Sequence, residues 1–196
     1  LLMALLLNVN KFSLHSIYRD RLMRAYLGAS RLHRQPNPFT GFDPDDNLSM
    51  HELRPDKSRR PLHLINIALN LVRGENLAWQ ERKAETFTVS ALHAGNFHLG
   101  YRKAEEYGRN TFSGRAISLG TAVTISGAAA SPNMGYHSSS VVAILLTLFN
   151  VRLGWWLGNP GPAGARTYHL SCPKLSLLPM IHEAFGLTDN RNPYVY

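Results

Sequence analysis

The chain has 196 residues, 44% of them hydrophobic and 17% charged, which excludes a disordered segment and fits one domain with a real core. Its net charge of +8 points to acidic partners: an anionic membrane surface, a phosphorylated lipid or nucleic acid. The basic residues are scattered, without interleaved aromatics or a zinc-finger or RNA-binding signature, so nucleic acid is the weakest of the three, and the lone Cys172 excludes an internal disulfide.

The opening apolar run, LLMALLL, is too short to span a bilayer and lacks the basic lead and cleavage site of a signal peptide. A helix is predicted over 14–27, capped by Ser13. Leu14, Ile17, Tyr18, Leu22, Ala25 and Tyr26 form its apolar face, and Gly28 stands at its stop. Residues 34–44 are a Pro/Gly/Asn loop. Asp43, Asp45 and Asn47 begin a calcium-loop pattern that fails at Leu48 and Arg54, so a turn and a helix start capped by Ser49 and Glu52 are expected instead.

Residues 62–72, LHLINIALNLV, are the strongest strand signal, rich in aliphatics and interrupted by Asn66 and Asn70. Strand material follows over 77–92, with 77–80 and 86–89 as possible neighbours. Residues 93–115 are polar and Gly-rich and read as a loop excursion. The segment 118–137 packs small residues around Ser131-Pro132. It predicts a helix over 120–130, used either for close packing or as a pocket wall, and then a turn over 131–136.

A helix over 141–149, with Ser138 to Ser140 as its caps, is apolar all round and so is expected to be buried in protein or in lipid. Trp155 and Trp156 suit a core or a membrane interface, with the core preferred. GNPGPAG over 158–164 reads as a flexible loop, 177–185 as a short helix, and 193–196 as entry to a strand. Both ends read as cut from a larger protein. The order of elements suggests an α/β fold with a central sheet flanked by helices, organised as a helical lead-in (1–33), a loop with a short helix (34–60) and an α/β core (61–196).

The nine histidines show no ligand spacing: His93 and His98 are five apart, and neither His51-Glu52 nor His182-Glu183 has a second His in register. No metal site or cofactor is expected. Cys172, beside Pro173, reads as a packed small residue.

Three segments resemble the patatin-like phospholipases, a family of lipid acyl hydrolases. LHLINIALNLV, ending Ala68-Leu69-Asn70 and followed by LAWQ, is similar to the family's strand with an A-T-D-L-like end. TAVTISGAAASPNMG, from Thr121 to Gly135, is similar to its A-S-x-A-x-P helix and turn. NPYVY resembles the strand leading to its D-G-G/A motif. The opening NKFSLHSIYRDRLMRAYLGASR resembles a spacer of the large bacterial members. The resemblance implies a layered α/β domain, incomplete at both ends, a lipid ester substrate and a membrane-associated or cytoplasmic bacterial protein.

That family attacks the ester with a Ser on a G-x-S-x-G elbow, uses an Asp as proton acceptor and stabilises the oxyanion with a Gly-rich loop. This chain has neither a G-x-S-x-G nor a Gly-Gly loop. The resemblance therefore places both catalytic residues outside it and assigns none within. Ser131 and Asp189 read as turn or cap residues. The pocket-wall residues that the resemblance implies are Asn70, Ala129, Ser131, Asn133 and Gly135. Two other readings stay open: a non-catalytic basic membrane-surface or lipid-binding module, and a soluble α/β interaction domain without lipid chemistry.

Overall fold

The computed structural model describes residues 8–55, 61–70, 84–109, 114–128, 130–132 and 139–196. Its centre is a four-stranded antiparallel meander, β1 (Leu64–Asn70), β2 (Ala84–Ser90), β3 (His93–Asn96) and β4 (Gly100–Lys103), each strand paired with the next in sequence. Helices flank it, so the architecture is mixed α/β. Alternation sets the inner face. Ile67 and Leu69 are buried on β1 while Asn66 and Ala68 are exposed, and Ile67 faces Phe87 across the β1–β2 pair. Phe87, Val89, Tyr107 and Met50 belong to the same main core, which also takes in Ile117, Leu157 and Val195.

The 86–89 strand is present, paired with β1 and β3; its suggested neighbour at 77–80 lies outside the described residues. The expected loop excursion over 93–115 contains β3 and β4. Side-chain turn bonds allow strands this short and polar. Ser90 Oγ accepts from the Leu92 and His93 amides and donates to His93 O, and Asn96 Oδ1 accepts from Leu99 N at 2.7 Å.

The first helix, α1 (Leu14–Leu22), continues through a π-helical turn, Met23–Leu27, to Gly28. Ser13 stands at its N-cap, but the Oγ donates back to Asn10 O at 2.8 Å and caps no helical amide. Glu52 accepts from Ser49 N at 3.0 Å, as the capping pattern predicts, at the start of a short 3-10 turn, Met50–Leu53. The small-residue helix, α2 (Leu119–Ser126), is shorter than expected and packs on α1 and β1. Gly120 is required there: a Cβ would lie 2.7 Å from Met23 Cγ and from Asn47 Oδ1.

A two-stranded ribbon, β5 (Leu157–Gly158) with β6 (Tyr194–Val195), closes the fold, and Tyr196 O accepts from Asn70 N at 2.8 Å at the end of β1. The expected flexible loop at 158–164 is instead built in. Asn159 is fully buried; its Nδ2 donates to Asn190 O and Asn192 O, and its Oδ1 accepts from Gly161 N at 2.7 Å. Gly158 serves close approach, since a Cβ would lie 1.9 Å from Thr167 O. Trp156 lies in a second core with Val9 and Tyr196, as the core reading expects.

Candidate functional site

Two of the five expected pocket residues meet at Tyr196. Its backbone oxygen takes the Asn70 amide, and its hydroxyl donates to the buried Ser131 Oγ at 3.0 Å. The exit of the small-residue run is also tied by Leu153 N, which donates to Ala130 O at 2.8 Å. Ala129, Asn133 and Gly135 lie outside the described residues. Asp189 accepts from Arg191 N at 2.8 Å, the turn role expected of it.

Beside Tyr196 is an ion pair that sequence reasoning missed. Arg152 and Glu183 lie 2.7 Å apart with no solvent exposure on either side chain, and the guanidinium stands 5.6 Å from the Tyr196 ring centroid. Burial pushes Glu183 up to about 7 against the pull of Arg152. It also drives the Tyr196 phenol well above its usual range, so that hydroxyl remains a donor. Nearby, His15 is fully buried against the Trp155 ring at 4.4 Å between centroids. Its Nδ1 donates to Leu153 O at 2.7 Å, and burial lowers its pKa to about 4. The only hint in the sequence is an arginine inside a largely apolar stretch, LFNVRLGWW.

The second feature is an apolar face. The helix α3 (Ser140–Leu148) packs on α4 (Leu177–Ala184) but buries only Ala143 and Thr147. Val141, Ile144 and Leu145 face solvent, and Leu148 and Phe149 are 70% and 72% exposed. The expectation of burial in protein therefore fails for α3, because its contact with the fold runs only along its small side. On or beside α4, Leu178, Ile181 and Phe185 are exposed as well, and an apolar groove of about 160 Å³ runs between Leu175, Leu178 and Tyr194 with Lys174 at its lining. Asn150, at the end of α3, reaches back to the N-terminal turn, donating to Val9 O and Phe12 O; Phe12 is also exposed. Grouped exposed apolar residues of this kind are found where proteins meet a partner protein, a ligand or a membrane surface.

Among the described residues no helix is long and apolar enough to cross a membrane, and no cluster of three or more His, Cys, Asp or Glu is placed to hold a metal. No family model, curated protein or solved structure matches the chain.

Proposed function

We propose that this chain belongs to a serine acyl hydrolase of the patatin-like kind that acts on lipid esters, and that it supplies the scaffold and pocket wall between a Ser nucleophile and an Asp lying outside these residues. The observation that carries the lipid part is the solvent-facing apolar surface of α3 and α4. An enzyme whose substrate sits in a bilayer or micelle needs such a surface, and a water-soluble substrate gives it no purpose. The chemical class comes from the resemblance of the β1, α2 and β6 segments. In that chemistry a Ser Oγ attacks the ester carbonyl, the Asp takes its proton, and backbone amides hold the oxyanion. Ser131 is unsuited to the nucleophile's role, since it is buried and its Oγ accepts from Tyr196.

Fluorophosphonate labelling tests the reading. A form extended on both sides should label at one Ser, and the 196-residue chain should not; an extended form that stays unlabelled overturns the hydrolase assignment. A second reading, a non-catalytic basic lipid-surface module, is favoured by the same apolar face together with the net charge of +8. It predicts vesicle binding that rises with anionic lipid content and no labelling in any form.

A further inference from the structure

The groove beside α4 is walled by Leu175, Leu178, Pro179 and Pro193, with Trp156 and Tyr194 as its aromatic members. At about 160 Å³ it is smaller than the ~300 Å³ at which sites for drug-sized ligands begin, so it suits one hydrocarbon chain and not two. Trp156 is buried, and its indole N–H has no protein acceptor. Leu178 belongs both to the groove and to the exposed side of α4, where Ile181 and Phe185 follow one and two turns on. A chain longer than the groove therefore continues over apolar surface.

The polar groups of the groove favour an anion at the head of that chain. No carboxylate is among the lining residues. Lys174 is the one always-charged residue there, and His182 is neutral or cationic. Glu183, next to His182 in sequence, is buried and held by Arg152 at 2.7 Å. Asp189, the next acid along the chain, accepts from Arg191 N. Lys174 is exposed and takes part in none of the ion pairs among the described residues. The Tyr194 hydroxyl oxygen accepts from Lys174 N at 3.3 Å, which sets the phenol beside Lys174 and leaves its own proton to donate. Burial raises the Tyr194 phenol above its usual range, so that proton is held at neutral pH. An ammonium-bearing side chain and a hydroxyl donor together match the two oxygens of a carboxylate. A phospholipid brings two chains to a groove that holds one, and a neutral alcohol leaves the ammonium without a counterion.

We infer that the groove beside α4 binds a single free fatty acid, its alkyl chain between Leu178 and Pro193 and its carboxylate at Lys174 and the Tyr194 hydroxyl. A fatty acid is what hydrolysis of a lipid ester releases, which links the groove to the function proposed above. Its binding does not depend on that reading, because it stands on the groove's own residues.

Calorimetric titration of the full chain with octanoate, decanoate and dodecanoate, each below its micelle concentration, and with decanol tests the site. Affinity should rise about fourfold per added methylene, the gain from burying one CH₂, until the groove and the adjoining side of α4 are filled. Decanol should bind about tenfold more weakly than decanoate, for want of the charge-assisted contact. Lys174→Met should weaken decanoate about tenfold and leave decanol unchanged. Leu178→Asp should abolish binding of both. That side chain is 55% exposed, so an unchanged urea midpoint should show the fold intact. If the midpoint falls, the Lys174→Met comparison decides alone. Lys103→Met, the same charge change on the exposed end of β4, should alter nothing.

No decanoate binding overturns the site. So does decanoate binding that Lys174→Met leaves intact, or that survives in a folded Leu178→Asp. Self-association in sedimentation equilibrium that Leu178→Asp reverses would assign the groove to a second copy of the chain and overturn the fatty-acid assignment as well. Fluorophosphonate labelling of an extended form is blind to all of these outcomes, so failure of the groove and failure of the hydrolase reading are told apart.

Discussion

Two buried titratable groups pull the stability of this fold in opposite directions with pH. His15 has an ordinary value of 6.5 and falls to about 4 in the native state, chiefly through burial, with Arg19 adding to the effect and the Leu153 carbonyl opposing it. Between those values the unfolded chain binds a proton that the native state refuses. His15 therefore stabilises the fold above pH 6.5 and loses that contribution as pH falls toward 4, a loss of ~3 kcal/mol. Glu183 runs the other way, raised by burial from 4.5 to about 7. The native state binds its proton first, so this group destabilises the fold as pH rises through 7 and relieves it as pH falls toward 4.5. The lowered Asp43 and Asp46 carboxyls titrate below 3.8, under this window. Across pH 4.5 to 6.5 the two slopes oppose each other, and the parent should be nearly flat. His15→Asn keeps a donor toward Leu153 O but does not titrate, and it should become more stable as pH falls through the window. Glu183→Gln should become less stable. Urea denaturation at a series of pH values measures both. A His15→Asn curve parallel to the parent's would refute the assignment of a neutral, buried imidazole.

Leu148→Asp should abolish most vesicle binding and change stability by under ~0.5 kcal/mol, because the side chain is 70% exposed; co-sedimentation and a urea midpoint check the two halves. A large loss of stability would instead mean that the α3 face is covered by the fold. Tyr196→Phe removes the donor to Ser131 Oγ and should cost about 1 kcal/mol, read as a lower thermal midpoint. An unchanged midpoint would show that this bond does not hold the small-residue run against the closing ribbon.

Some of this was readable in the sequence for clear physical reasons. Ile65, Ile67 and Leu69 alternate with exposed neighbours, so β1 announces its inner face. β3 and β4 do not: each has only four residues, and their turns are set by Ser90 and Asn96 side chains that composition reads as loop. The α3 pattern identified a helix but misled on burial. A helix apolar on every side carries no periodicity to say which side meets the fold, and here the small pair Ala143 and Thr147 does. The glycines over 158–164 suggest a flexible loop, whereas Gly158 serves close packing against Thr167. The Arg152–Glu183 pair joins residues with no local relation, so no window of sequence could hold it.

The small-residue run admitted two readings, close packing or a pocket wall, and α2 uses different sides for each. Gly120 meets Met23 of the π-helical turn, a contact no larger residue permits. One residue on, Thr121 lines a cavity of about 570 Å³ beside the N-cap Ser118, whose Oγ donates to Thr121 Oγ1 at 2.9 Å. At the far end Ser126 Oγ donates to Asn66 O at 2.7 Å, fixing α2 to β1. Bulk is excluded on the α1 side so that the helix can sit close, and that closeness makes its first turn part of the same cavity wall as Lys11 and Arg19. The packing and the cavity are thus one arrangement: a larger residue at 120 would push α2 away from α1 and open the cavity it helps to wall.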